Sequence, residues 1–192
     1  MINIIKDNLQ KSIDCKTKLL EDKNNIQIIE KICKEIIKCY KNGNKICVCG
    51  NGGSAADAQH FVAELVGRYL INRKAMPAIA FTTDTSILTA IGNDFGYNEI
   101  FKRQAEALVE EGDILIGITT SGNSKNIELA MIESKRKGAK IVGLLGKTGG
   151  VCKDLCDFPI VVNSDRTPNI QECHIAIIHI ICEIVEKELY EK

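Results

Sequence analysis

Asp57, His60, Glu64 and Arg68 recur at helical intervals in this chain of 192 residues. At about 3.6 residues per turn they fall on one narrow stripe, beside an apolar face made by Ala58, Phe61, Val62, Leu65 and Val66. His60 and Glu64 are one turn apart: an imidazole and a carboxylate that could pass a proton or share a metal, although such a pair alone is more often a solvated ion pair. The stripe follows Gly50-Asn51-Gly52-Gly53-Ser54, which comes straight after the apolar run Ile46 to Cys49. Strand, tight loop and amphipathic helix are the natural reading. Glycines let the backbone turn sharply and approach a ligand, and free amides at a helix start attract an anion, so the loop is a candidate phosphate cradle. Gly50, Gly52 and Ala55 also fit the G-x-G-x-x-G/A dinucleotide pattern. That reading wants an acid about 20 positions on, at the end of the next strand, and the nearest strand-end candidate, Asp84, lies well beyond it. No Gly-Lys-Ser/Thr follows, which argues against a nucleotide P-loop.

A second anion site is written into Thr119-Thr120-Ser121-Gly122-Asn123-Ser124, which follows an apolar run and precedes a helical pattern from about Lys125 to Lys137. Hydroxyls and helix-start amides without a fixed cation suit a sugar phosphate better than a triphosphate. Between the two loops, Asn93 and Asp94 fit either sugar-hydroxyl binding or simple capping and turning. A final helix opens at Asp165-Arg166-Thr167-Pro168 and carries Gln171, Glu172, His174 and His179. Its aliphatic residues lie on nearly every face from Ile175 to Val185, the mark of a helix buried in a core or between subunits. Gln171 and His179 are about 12 Å apart along the axis of one regular helix and about 80° apart around it. Their side chains could converge on one point only if the first turn is distorted or the two come from different copies of the helix.

The elements that must position these groups are legible from periodicity. Helical spacing covers residues 2 to 21, breaks at Asp22-Lys23-Asn24-Asn25, and resumes from Ile26 to about Lys41 with Gly43 as its C-terminal cap. Short apolar runs then recur at Ile46 to Cys49, Ala78 to Phe81, Ile114 to Ile118, Ile141 to Leu145 and Pro159 to Val162. The fold class expected is α/β: one domain over residues 1–192, with N-terminal helices (1–43), an α/β core (44–165) built on a doubly wound, five-stranded parallel sheet, and a long C-terminal helix (166–192). Ligands of such sheets bind past the carboxyl ends of the strands.

Composition removes several classes of function. Basic and acidic residues balance at 25 each, with no basic block, which disfavours nucleic acid as a partner. The most apolar stretch, Ile175 to Val185, is about half the length a membrane span requires, and no signal peptide is evident at Met-Ile-Asn-Ile-Ile-Lys-Asp. A cytoplasmic protein that binds no membrane is expected. The nine cysteines form no C-x-x-C pair and read as small buried hydrophobes.

Taken together, Gly-Asn-Gly-Gly-Ser, the Asp57/His60/Glu64 helix, Gly92-Asn93-Asp94, Thr120-Ser121-Gly122-Asn123-Ser124 and Ile170-Gln171-Glu172-x-His174 with His179 resemble the sugar isomerase (SIS) domain family and, within it, the phosphoheptose isomerases. The match runs in order across almost the full chain. The resemblance implies a flavodoxin-like SIS fold and interconversion of sedoheptulose 7-phosphate with D-glycero-D-manno-heptose 7-phosphate, the first step towards activated heptose for surface polysaccharide. It implies substrate contacts from Asn51, Gly52, Gly53, Glu64, Asn93, Asp94, Thr119, Thr120, Ser121, Ser124 and Gln171. It also implies one zinc ion (Zn2+) per subunit on His60, Glu64, Gln171 and His179, an acid/base pair of Glu64 and His179, and a homotetramer with active sites between subunits. A branch of the family that binds the replication initiator protein lacks this acid/base pair. Two positions depart from the family pattern: Asn169 stands where arginine is usual, and Thr119 where serine is common.

Overall fold

Residues 1–191 are described by the computed structural model; Lys192, the last position of the expected C-terminal segment, lies outside them. Five short apolar runs become five parallel strands: β1 (Ile46–Gly50), β2 (Ala78–Ala80), β3 (Ile114–Thr119), β4 (Lys140–Gly146) and β5 (Phe158–Val162), in the order β2-β1-β3-β4-β5. Ile46 of β1 lies beside Ala78 on one side and Ile114 on the other. This is the flavodoxin-like order, whose switch point falls between β1 and β3. The loops leaving the carboxyl ends of those two strands are 51–53 and 119–124.

Both faces of the sheet are covered, as near-continuous apolar strands require. Ile46 and Val48 point into a core shared with α1 (Ile2–Glu21), α2 (Lys23–Lys41), α3 (Gly53–Val66) and α7 (Thr167–Tyr190). Cys47 and Cys49, on the alternate side, point into a second core with α5 (Lys102–Leu108) and α6 (Lys125–Arg136). Eight of the nine cysteines are buried and Cys156 is partly so; burial pushes the thiols of Cys33 and Cys47 up to about 12, in keeping with a packing role. The shorter α4 (Thr85–Asp94) leans on the second core through Leu88 and Ile91.

Two local expectations change. The break between the first two helices narrows to Asp22, whose carboxylate accepts from the amides of Asn24 and Asn25 and so starts α2 three residues early, at Lys23. Asn25 then turns inward, donating to the Val161 carbonyl and accepting from the Val161 amide, so that it pairs with β5 as a neighbouring strand would. α7 keeps the all-round apolar character expected of it. Ile177, Ile178, Ile181 and Val185 are buried, but Ile180 and Ile184 are 44% and 37% exposed, so within one chain its outer face is apolar and uncovered. On α1, Ile2, Ile5, Leu9 and Ile13 are also exposed.

His174 fastens α7 to the sheet. Its Nε2 lies 3.0 Å from the Leu145 carbonyl and therefore carries the proton, while Nδ1 is buried without a partner. Burial lowers its pKa to about 4 against the opposing pull of that carbonyl. An imidazole below its unfolded value of about 6.5 supports the fold while neutral. That support is complete above pH 6.5 and is lost as the pH falls towards 4, by up to ~1.4 kcal/mol per unit. Urea unfolding between pH 7 and 4 is expected to show a steeper loss of stability in the wild type than in His174→Gln; parallel profiles would refute the assignment.

Candidate active site

The first loop is shaped by close approach. Gly52 has φ of 55°, and a Cβ on Gly53 would stand 2.1 Å from Nε2 of Gln171, so a side chain there would displace the Gln171 carboxamide from the start of α3. α3 stops at Val66, where Gly67 is the cap. The stripe therefore ends at Glu64, and Arg68 lies beyond the helix rather than on it.

α7 crosses this stripe and brings its side chains down on it. His179 Nε2 lies 3.0 Å from His60 Nε2, and His60 Nε2 lies 3.3 Å from Glu64 Oε1. The Tyr69 ring stacks on His179 with centroids 5.9 Å apart. Gln171 sits further back, against Gly53 and Asp57. Asp57 is buried with Oδ2 unpartnered; burial pushes its carboxyl up, while His60 and the Gln171 amide pull it down.

This placement bears on the two readings of Gln171 and His179. α7 is one uninterrupted helix from Thr167 to Tyr190, and its two side chains engage different turns of α3. A single chain brings Glu64 and His179 together, each touching His60, so this meeting requires no second copy of the helix. Ligand atoms on a tetrahedral zinc with bonds of about 2.0–2.1 Å stand roughly 3.3 Å apart, close to the 3.0 and 3.3 Å found here. Two imidazoles and a carboxylate are also a donor set that zinc accepts. Among the described residues, however, no group of three or more His, Cys, Asp or Glu stands so that it could hold a metal ion without rearrangement. His60, Glu64 and His179 match zinc in donor type and in these two spacings, while Gln171 lies about two turns of α7 from His179.

A buried ion pair, not evident in the sequence, fixes the end of the stripe. Glu186 of α7 accepts from the amides of Tyr69, Leu70 and Ile71 and from Arg73 Nε at 2.9 Å. Arg73 in turn donates at 2.8 Å to the carbonyls of Leu65 and Glu64. Burial alone would raise the Glu186 carboxyl, but the three amides and Arg73 outweigh it and hold it low. The catalytic candidate Glu64 and the ring stacked on His179 are set by one pair. Neither Glu186, just past the apolar run that ends at Val185, nor its partner more than a hundred residues away gave a signal in the sequence.

The hydroxyl loop is preorganised. Thr119 Oγ1 lies 2.9 Å from Ser124 Oγ and 3.3 Å from Ser121 Oγ, and Ser121 Oγ accepts from the Asn123 amide. Ser124 is the N-cap of α6, yet its hydroxyl makes no capping bond, leaving it and the first-turn amides to an anion. Thr120 is half-buried, with its carbonyl against Gly146. Gly122 lies backbone to backbone with Gly149 and Gly150, and its carbonyl accepts from the Cys152 amide at 3.0 Å. These two glycines were not picked out from the sequence. Asn93 and Asp94 are exposed at the end of α4 and hydrogen-bond each other at 2.8 Å. Three residues on, the Tyr97 hydroxyl reaches Asn51 Oδ1 at 2.8 Å across a cleft of about 300 Å³ lined by Asn51, Gly52, Ala55 and Thr82.

Comparison with known proteins places this arrangement among relatives. Residues 11–146 match the model of the SIS domain. The chain is 53% identical over 190 residues to a phosphoheptose isomerase of Clostridium acetobutylicum, covering 99% of this chain and 97% of that one. It is 57% identical over 164 residues to a phosphoheptose isomerase of Citrifermentans bemidjiense, covering 85% of each. The solved structure of a phosphoheptose isomerase from Francisella tularensis superposes with a TM-score of 0.93 at 37% identity, covering 97% of this chain and 98% of that one.

Removing one partner of a buried ion pair typically costs about 3–5 kcal/mol. Arg73→Met should lose that much in equilibrium urea unfolding, and Glu186→Gln, which keeps an acceptor for the amides, should lose less. An Arg73→Met stability within about 1 kcal/mol of wild type would contradict the role of the pair.

Proposed function

The chain belongs to the SIS domain family and, within it, to the phosphoheptose isomerases, and on that premise we propose how its residues carry the reaction. It is an aldose–ketose isomerase that interconverts sedoheptulose 7-phosphate and D-glycero-D-manno-heptose 7-phosphate, a step of heptose synthesis. The observation that carries the mechanism is the convergence of Glu64, His60 and His179 from two helices of one chain.

The phosphate is held by Thr119, Thr120, Ser121, Ser124 and the amides at the start of α6. Asn51, Gly52, Gly53, Asn93, Asp94 and Gln171 line the sugar. On the open-chain ketose, Glu64 removes a proton from C1. The electron pair forms the C1–C2 double bond, and the C2 oxygen takes a proton from His179, giving the enediol. Return of the proton from Glu64 to C2, with loss of the O1 proton to His179, gives the aldose. General acid and base groups of this kind each contribute about 10²- to 10⁴-fold.

Zinc on His60, Glu64, Gln171 and His179 is part of the proposal; when bound it supplies positive charge that polarises the carbonyl. A group cannot bind metal and proton through one atom: either zinc would take one carboxylate oxygen of Glu64 and one ring nitrogen of His179, leaving the other atom of each for the proton, or it would occupy the site in a non-catalytic state. Among the described residues no helix is long and apolar enough to cross a membrane. The uncovered apolar faces of α1 and α7 support self-association, with a tetramer as the expected assembly, and a cytoplasmic location completes the reading. The dinucleotide reading is not favoured, because it rests on the first loop alone and Asp84, the acid that follows β2, lies well beyond the position it requires.

Incubation with sedoheptulose 7-phosphate should yield the aldose; no product with or without added zinc would defeat the proposal. A chelator should abolish turnover and zinc restore it, while a rate unchanged by thorough metal removal would take zinc out of the mechanism. Ser121→Ala and Ser124→Ala should chiefly raise KM, since phosphate binding is common to ground and transition states. A fall in kcat at constant KM would place the phosphate elsewhere.

A further inference from the structure

Asn126 occupies the first turn of α6 and is 3% exposed. Its carboxamide faces that of Asn51 in a reciprocal pair: Asn51 Nδ2 donates to Asn126 Oδ1 at 2.9 Å, and Asn126 Nδ2 donates to Asn51 Oδ1 at 2.9 Å. The Tyr97 hydroxyl donates to the same Asn51 oxygen at 2.8 Å. Asn51 leaves the end of β1 and Asn126 follows the hydroxyl loop at the end of β3, so the pair ties together the two loops on either side of the switch point. The bonds also settle what Asn51 can offer. Both lone pairs of its oxygen are taken and one amide hydrogen is committed, leaving one N–H as its free group. A ligand entering between the loops meets a donor there, suited to a sugar oxygen.

We propose that Asn126 is a positioning residue for the isomerase reaction: it acts through Asn51, fixing that carboxamide as a donor to the sugar and setting the sugar loop at a constant distance from the phosphate loop. The inference rests on the function proposed above, because the sugar phosphate is what spans the two loops. Holding Asn51 in one orientation before substrate arrives spares the ordering cost on binding. The half-buried Asn51 amide deprived of this partner would instead seek another or reach for water.

A double-mutant cycle separates this role from a purely structural one. kcat and KM for sedoheptulose 7-phosphate are measured in wild type, Asn51→Ala, Asn126→Ala and the double variant, with folding checked by circular dichroism. Asn126→Ala is expected to lower kcat/KM about 10- to 100-fold, as a small misplacement of a contact group does, and the double variant to be no worse than Asn51→Ala alone. Asn126→Asp keeps the volume and the acceptor but removes the donor, and should fall between wild type and Asn126→Ala. Losses that multiply in the double variant, or an Asn126→Ala enzyme with wild-type kcat/KM, would overturn the proposal. If the wild type fails to turn over sedoheptulose 7-phosphate, the functional reading fails instead. The cycle is then replaced by the crystal structure of Asn126→Ala, in which a reoriented Asn51 side chain is expected and an unmoved one overturns the positioning role.

Discussion

The close approach of α3 and α7 is the constraint from which the site follows. Gln171 packs where any side chain on Gly53 would stand, and eight residues on, His179 meets His60 at 3.0 Å. One helix thus reads the other at two places about two turns apart, which fixes both translation and rotation between them. His174 pins α7 to Leu145 of the sheet and Glu186 pins it to the chain after α3, so the contact is held from below and from the far end. Loosen either and Glu64 and His179 no longer share a partner.

The sheet supplies the other half. Because β1 and β3 are neighbours and their helices leave on opposite faces, the two loops at their carboxyl ends open towards a common crevice. The hydroxyl loop is kept in shape by its own hydrogen bonds and by backbone contact with Gly149 and Gly150, which leaves helix-start amides without competitors. Anion binding sits at one end of the crevice and proton transfer at the other. A phosphorylated sugar long enough to reach between them is held by an end that does not react, which is how binding energy is turned towards orientation at the reacting carbons.

Much of this was legible because buried parallel strands are continuous apolar runs and because glycine and hydroxyl clusters have few alternative uses. All five strands appear within a residue or so of the runs from Ile46, Ala78, Ile114, Ile141 and Pro159. Local chemistry was harder to weigh. Lys23-Asn24-Asn25 has the composition of a turn, yet Asp22 caps the helix that contains it and Asn25 finds Val161. Arg68 fitted the stripe by number alone, but Gly67 ended the helix first. Partners made only by folding had no local signature: Arg73 with Glu186, Asn126 with Asn51, Gly149 and Gly150 behind Gly122. The all-round apolar character of α7 pointed correctly to burial for most of its faces, while Ile180 and Ile184 mark the face that one chain alone does not cover.

The central claim is that Glu64, aimed by this packing, is the base that moves a proton between neighbouring carbons. Following sedoheptulose 7-phosphate by NMR in D₂O tests it most directly, since a proton passed through a carboxylate exchanges with solvent. Wild-type enzyme should place deuterium at C2 of the aldose and at C1 of the recovered ketose. Glu64→Gln, which keeps the shape and removes the base, should slow that exchange by about 10² or more. Exchange at the wild-type rate in folded Glu64→Gln would contradict the account.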